Sequence, residues 1–382
     1  MKIKLGNIFE IGSGGTPLKT HPEYYGGTIP WVKTGDLKDE YLYEVEDYIT
    51  EAGLKNSSAK MYEPNTVLIA MYGATIGATS ILKFPACTNQ ACAAFKENDK
   101  VLPEYLYYFL RSKKAQFVKD GVGGAQPNIS AGYLKNVTME LRTKTEQTEI
   151  VAALDKVQKI IRNRNQQLSA LDNLIKARFV EMFGAFPENP MGWKTGTIRD
   201  VVSDVRYGSS RPAVDGGRYP YLRMNNITYG GELDLTDTKR IDVPENELEK
   251  CSVHRGDVLF NRTNSKELVG KTCVYNRDEM MILAGFVIRV RLNDQMLPEF
   301  LSAFLNTDFS KTMLIGMCKT AIGQANINAQ EMQGIRIYIP PINRQEDFVR
   351  LKTQVDKSKV VIQKSLEKSQ LLFDSLMQEY FG

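Results

Sequence analysis

Four stretches in the second half of the chain hold side chains suited to reading base edges. They are Arg206-Tyr207-Gly208-Ser209-Ser210-Arg211, Arg223-Met224-Asn225-Asn226, Asn261-Arg262-Thr263-Asn264-Ser265-Lys266 and Lys319-Thr320-Ala321-Ile322-Gly323-Gln324-Ala325-Asn326. An arginine fork matches guanine, Asn and Gln match adenine, Ser and Thr adapt, and glycine admits the backbone to a phosphate. The first half offers Lys33-Thr34-Gly35-Asp36, Tyr72-Gly73-Ala74-Thr75 and Gly123-Gly124-Ala125-Gln126-Pro127-Asn128. Any one of these stretches fits a simple turn equally well. Their recurrence at matching places in both halves supports contact for the set. The candidate contacts are Lys33, Tyr72, Thr75, Gln126 and Asn128, then Arg206, Tyr207, Ser209, Arg211, Arg223, Asn225, Asn226, Arg262, Asn264, Lys266, Lys319, Gln324 and Asn326.

Covalent chemistry finds little support. Gly270-Lys271-Thr272 has the tail of a phosphate-binding loop, but Ser265 stands where its first glycine belongs. In Gly12-Ser13-Gly14-Gly15-Thr16-Pro17, a proline replaces the third glycine of a dinucleotide fingerprint. Asp237-Thr238-Lys239 has the shape of a nuclease tripeptide without an upstream Pro-Asp. Asn189-Pro190-Met191-Gly192 lacks the second proline and aromatic that would hold a flipped adenine. Only two histidines exist, His21 and His254, far from any cysteine pair at zinc spacing. The expectation is a chain with no catalytic residue, no metal ligand and no cofactor of its own.

Composition bounds the setting. The 382 residues suffice for two or three domains with cores of their own, and 42% apolar with 25% charged is ordinary for a globular protein. A net charge of +4 permits a polyanionic partner without demanding one. Five scattered cysteines argue for free thiols in a reducing compartment. The N-terminus has no apolar signal core, and the longest apolar run, residues 280–288, is too short to cross a bilayer. Together these predict a cytoplasmic protein without membrane contact.

The elements that must position these loops occur twice. Phe179-Val180-Glu181-Met182-Phe183-Gly184 anticipates the ending Leu376-Met377-Gln378-Glu379-Tyr380-Phe381-Gly382, with offset 382 − 184 = 198. At that offset Gln147 falls on Gln345 and Asn128-Ile129 on Asn326-Ile327. Leu102-Pro103-Glu104-Tyr105-Leu106 reappears as Leu297-Pro298-Glu299-Phe300-Leu301. Two such long units are a duplicated domain rather than a solenoid. Within each repeat, short apolar runs punctuated by Gly, Asn and Pro predict strands, followed by a stretch without Gly or Pro that predicts one long helix. The boundaries read 1–143 for the first globule, 144–184 for its spacer helix, 185–191 for a linker, 192–342 for the second globule and 343–382 for its helix. Leu154, Val157, Ile161, Leu168, Leu171 and Ile175 repeat at heptad spacing along the first helix. Val355, Ile362, Leu372 and Leu376 do so along the second. The predicted fold is α/β (α+β), with two homologous globules separated by helices that pair as an antiparallel coiled coil about a pseudo-two-fold axis.

In this order the chain resembles a specificity subunit of a type I restriction–modification system over essentially its full length. The resemblance rests on Gly27-Thr28-Ile29-Pro30-Trp31 with Gly35-Asp36-Leu37, on Gly256-Asp257-Val258-Leu259, and on Ile337-Tyr338-Ile339-Pro340-Pro341 with Gln345. The first repeat departs at the last of these, since Glu140-Leu141-Arg142-Thr143 lacks the paired prolines. The resemblance implies a non-catalytic subunit whose two target-recognition domains each bind half of a split, asymmetric site in double-stranded DNA. Two adenine-methylating subunits and motor–nuclease subunits would join it, and S-adenosylmethionine, ATP and magnesium would belong to those partners. About 35 helical residues span ~50 Å, near one and a half turns of B-DNA, so the helices would set the distance between half-sites. Two other readings stay open: a self-contained magnesium-dependent nuclease using Asp237 and Lys239, and a coiled-coil scaffold binding proteins alone.

Overall fold

Val67-Leu68-Ile69-Ala70 and Val258-Leu259-Phe260 are apolar on both faces, as strands covered from both sides must be. Each forms a central strand in its half of the computed structural model, which describes residues 1–121, 128–321 and 324–382, with only the backbone at 319–321 and 324. The chain divides into two compact units, Met1–Arg164 with Ser365–Gly382, and Asn165–Lys364.

In the first unit one sheet runs Ile11–Ser13, Cys92–Phe95, Val67–Ala70, Thr79–Leu82, Tyr41–Leu42, and a second runs Tyr48–Ile49, Tyr25–Val32, Ala86–Thr88, Met61–Tyr62. The second unit repeats the plan. Its sheets run Val202–Tyr207, Val287–Leu292, Val258–Asn261, Thr272–Val274, and Lys239–Ile241, Tyr219–Leu222, Met281–Leu283, Ser252–Val253. In both units the middle pair of the second sheet is parallel and its flanking pairs antiparallel. The second unit adds a ribbon in which Thr263–Asn264 pairs Gln324–Asn326, which pairs Lys319–Ala321. Proline opens the helices Pro103–Ser112 and Pro298–Leu305, where its missing N–H is no loss.

The long helices are Lys144–Phe183 and Ile342–Phe381, 40 residues each. Each is fastened to its own globule by one buried glutamine. Gln147 accepts from Leu102 N (2.8 Å) and donates to the carbonyls of Lys100 and Arg142. Gln345 accepts from Leu297 N (2.8 Å) and donates to those of Gln295 and Pro340. Both are fully buried, so the repeat seen as a sequence match is repeated atom for atom.

In the first unit Ile150, Leu154, Val157 and Ile161 share one core with Phe373, Leu376 and Phe381 from the other long helix. Phe381 packs 5.2 Å from Tyr105. In the second unit Ile175, Phe179 and Phe183 share a core with Phe348, and Phe183 lies 4.8 Å from Phe300. Each unit therefore joins the start of one helix to the end of the other, the pattern of an antiparallel pair. Leu168, Leu171 and Ile362 are half-buried, and Val355 is buried. One seam position shifts: Leu372 is 50% exposed and its neighbour Phe373 takes the buried place. The second helix also carries a cation on its seam, Lys359, whose Nζ meets Asp172 at 2.7 Å and Glu232. The linker stretch 185–191 packs on the second unit: Phe186 lies against Phe304, Phe309 and Tyr338, and Tyr338 Oη donates to Ala185 O.

Candidate nucleic-acid interface

Strand ends set the positions of the polar side chains. In the second unit Tyr207 closes one strand and Arg262 follows the next, Val258–Asn261. The Arg262 guanidinium lies over the Tyr207 ring at 5.0 Å, and its Nη2 donates to Asn326 Oδ1 at 3.1 Å. Asn326 in turn donates to Thr263 Oγ1, and Tyr207 Oη accepts from Ala329 N. Asn264 donates to Asn261 Oδ1, while buried Asn261 holds the carbonyls of Thr263 and Phe286. Phe286 is 51% exposed beside this cluster. Tyr207, Arg262, Asn264 and Asn326 are thus brought together.

The other arginine candidates are held by carboxylates. Arg211 makes two bonds to Glu247, which raise its pKa, and Arg223 pairs with Asp237 at 2.9 Å. Arg206 pairs with Asp204, which also meets the buried Arg289. Ser209 and Asn226 are almost wholly buried and serve the chain itself. Ser209 Oγ accepts from Arg211 N, and Asn226 bonds Arg223 N and the Asp234 carbonyl. Asn225 and Lys266 are exposed. The side chains of Lys319 and Gln324 lie outside what is described, although the backbone of both sits in the ribbon.

Two other motifs are spent on structure. Lys271 Nζ donates to Met224 O, and burial pushes its pKa down, so it braces the 223–226 loop. Asp237 is occupied by Arg223, and among the described residues no three of His, Cys, Asp and Glu gather as a metal site would need. Among the described residues no helix is long and apolar enough to cross a membrane.

In the first unit Lys33 pairs with Asp47 and lies 5.4 Å from the Trp31 ring. Tyr72 is 43% exposed, bridges Asn128 through the backbone, and accepts from Thr75 Oγ1 at its carbonyl. Gln126 lies outside the described residues. The backbone frame matches the second unit bond for bond. Ile129 N donates to Met71 O as Ile327 N does to Arg262 O, and Met71 N donates to Ala91 O as Arg262 N does to Phe286 O. Arg262 therefore stands where the first unit has buried Met71, and Phe286 where it has Ala91.

A family model described as the type I restriction modification DNA specificity domain matches residues 1–172 and again 190–371. The chain belongs to this family. Each matched copy runs from a globule into its long helix, so the family's repeat is the globule with its helix attached. The type I restriction enzyme MjaIX specificity subunit of Methanocaldococcus jannaschii is 29% identical over 258 residues, 61% of this chain and 59% of that protein. The EcoKI specificity subunit of Escherichia coli is 20% identical over 378 residues, 92% of this chain and 80% of that one. The alignment with the first relative thus spans under two thirds of its length. Among solved structures, one described as concerning complex assembly and conformational transition of the type I R-M system shares the fold, with a TM-score of 0.63 at 17% identity over 100% of this chain and 97% of that one. The type I system S subunit from M. genitalium does so with a TM-score of 0.55 at 13% identity, over 100% and 96%.

Sequence reasoning on this specificity-domain protein missed Phe286. It falls inside the apolar run 280–288, which reads as core, and only Gly285 beside it signals a turn. It also missed Lys311, a lone cation in a helix, whose burial no local pattern announces.

Proposed function

We propose that this chain is the DNA-reading subunit of a type I restriction–modification enzyme and catalyses nothing itself. Its two units bind the two halves of a split, asymmetric site in double-stranded DNA. The observation that carries this is the duplicated frame with divergent polar residues. Equivalent backbone bonds place Met71 in one unit and Arg262 in the other, and Tyr72 and Thr263 beside them pair antiparallel with Asn128 and Asn326. Two equivalent readers with different side chains select different half-sites, hence an asymmetric whole. Base edges discriminate through such side chains, while phosphate contacts only set register.

The long helices serve assembly. Along the second, Val361 is 68% and Leu372 50% exposed. Exposed apolar side chains of this kind suit a protein partner, and we assign the helices to the adenine-methylating subunits, two per complex, with motor–nuclease subunits added for cleavage. S-adenosylmethionine, ATP and magnesium then belong to those partners, and the complex works in the cytoplasm.

Co-expression with the cognate methylating subunit, followed by mapping of modified adenines, tests the reading. The expected result is one split, asymmetric motif. Adenine modification at a continuous palindrome, or magnesium-dependent cleavage by this chain alone, would refute it.

A further inference from the structure

Four arginines of the second unit stand near its polar loops, and three have their charge answered by a carboxylate: Arg206 by Asp204, Arg211 by Glu247, Arg223 by Asp237. Arg262 has no carboxylate within ion-pair reach among the described residues. Its partners are instead neutral groups that fix its plane, the Tyr207 ring at 5.0 Å and Asn326 Oδ1 at 3.1 Å. Its backbone is fixed as well, because N donates to Phe286 O and O accepts from Ile327 N, one bond to each flanking segment. Nε is buried without a partner, so the side chain must act end-on through Nη1 and Nη2. One of the four terminal hydrogens goes from Nη2 to Asn326, which leaves both hydrogens of Nη1 and one of Nη2 for a ligand.

We infer that Arg262 is a specificity-determining residue of the second unit, reading one guanine through O6 and N7 in the major groove, with Tyr207 and Asn326 as positioning residues. The inference rests on the DNA-reading function proposed above. A planar, pre-aimed pair of donors is the geometry that guanine's two acceptors require, and Arg presents it at less ordering cost when its fork is already held. A charge left uncompensated in the free protein is satisfied on DNA, whereas the carboxylate-paired arginines would have to surrender a partner first. The same position in the first unit is buried Met71, so that unit reads its half-site without this contact.

The test uses the full chain with its methylating subunit and a library of double-stranded DNA randomised at every position. Wild-type complex should select a motif containing a guanine in one half-site. Arg262→Ala should lose preference at that guanine alone, by about tenfold to a hundredfold, with unchanged preferences elsewhere. Arg262→Lys should lose it too while keeping the salt dependence of binding, because a lysine restores the charge but not the fork. Tyr207→Phe, which keeps the ring under the guanidinium, should retain the preference, and Tyr207→Leu should weaken it at the same position. Equal weakening at all positions in Arg262→Ala would make Arg262 a phosphate contact, and no change, or a change at a base other than guanine, would equally overturn the inference. Any of those results with an intact wild-type motif leaves the DNA-reading function standing. A wild-type complex that selects no motif would remove both.

Discussion

Lys311 is 7% exposed, and its Nζ has no hydrogen-bond partner. Burial, and then the neighbouring cations Lys271 and Lys176, push its pKa down to about 8 from the ordinary lysine value. At ~1.36 kcal/mol per pH unit, a fall of roughly two and a half units means that keeping this amine charged at pH 7 costs about 3 kcal/mol of folding stability. The Tyr229 ring, 4.9 Å from Nζ, returns roughly 0.5–2 kcal/mol of that through its face. Lys311→Met keeps the buried stem and removes the charge, so the second unit should gain about 1–3 kcal/mol at pH 7.

The pH dependence supplies the sign. A lysine with a depressed folded pKa binds fewer protons folded than unfolded between its two pKa values, so wild-type stability rises as pH climbs through about 8. The mutant's advantage should be full below that pH and shrink above it. The chain holds two tryptophans, Trp31 in the first unit and Trp193 in the second, so urea unfolding followed by fluorescence in a Trp31→Phe background reports the second unit alone. A Lys311→Met protein that is less stable at pH 7, or equally more stable at every pH, would mean that the amine is solvated or partnered and the reasoning is wrong.

Two further outcomes follow from the packing. Val157→Asp or Phe373→Asp places a carboxylate in the first unit's core and should cost upwards of about 3 kcal/mol. Leu372→Asp, one residue along but exposed, should change thermal stability by less than roughly 0.5 kcal/mol yet weaken co-elution with the methylating subunit. Gln147→Ala and Gln345→Ala each strand a buried N–H and two carbonyls, so each should lower the unfolding free energy of the unit holding that glutamine by about 1–3 kcal/mol, read separately by Trp31 and Trp193.

The duplication and the long helices were legible because they are written in local pattern. Heptad spacing and the absence of Gly and Pro declare a helix wherever it occurs, and Gln147 and Gln345 declared themselves by recurring at one offset. The seam slipped at Leu372 and Phe373 because both are apolar, and which of two adjacent apolar residues turns inward depends on what faces it. Here Tyr108 lies 6.2 Å from the Phe373 ring. The candidate interface was legible by residue type but not by role. Arg206, Arg211, Arg223 and Arg262 look alike in sequence. Only the fold brings up Asp204, Glu247 and Asp237 to three of them, the last two from 36 and 14 residues away, and leaves the fourth on an aromatic ring. Nor could Ser209 and Asn226 be seen as turn-makers until their burial was known.

These placements separate two demands that one surface must meet. The frame has to hold register, and it does so with groups that ignore base sequence: buried glutamines, a duplicated set of backbone bonds, and helices closed by Phe183 and Phe381. Selectivity has to vary without disturbing that frame. Met71 and Arg262 show how both are possible, because their N–H and C=O are bonded identically while one side chain is core and the other faces its aromatic partner at the surface. A substitution at such a position changes what is presented without removing a backbone bond, so its folding cost is limited to side-chain burial. On the DNA-reading function proposed above, recognition in each unit can then diverge independently, and a duplicated gene product need not read a repeated sequence.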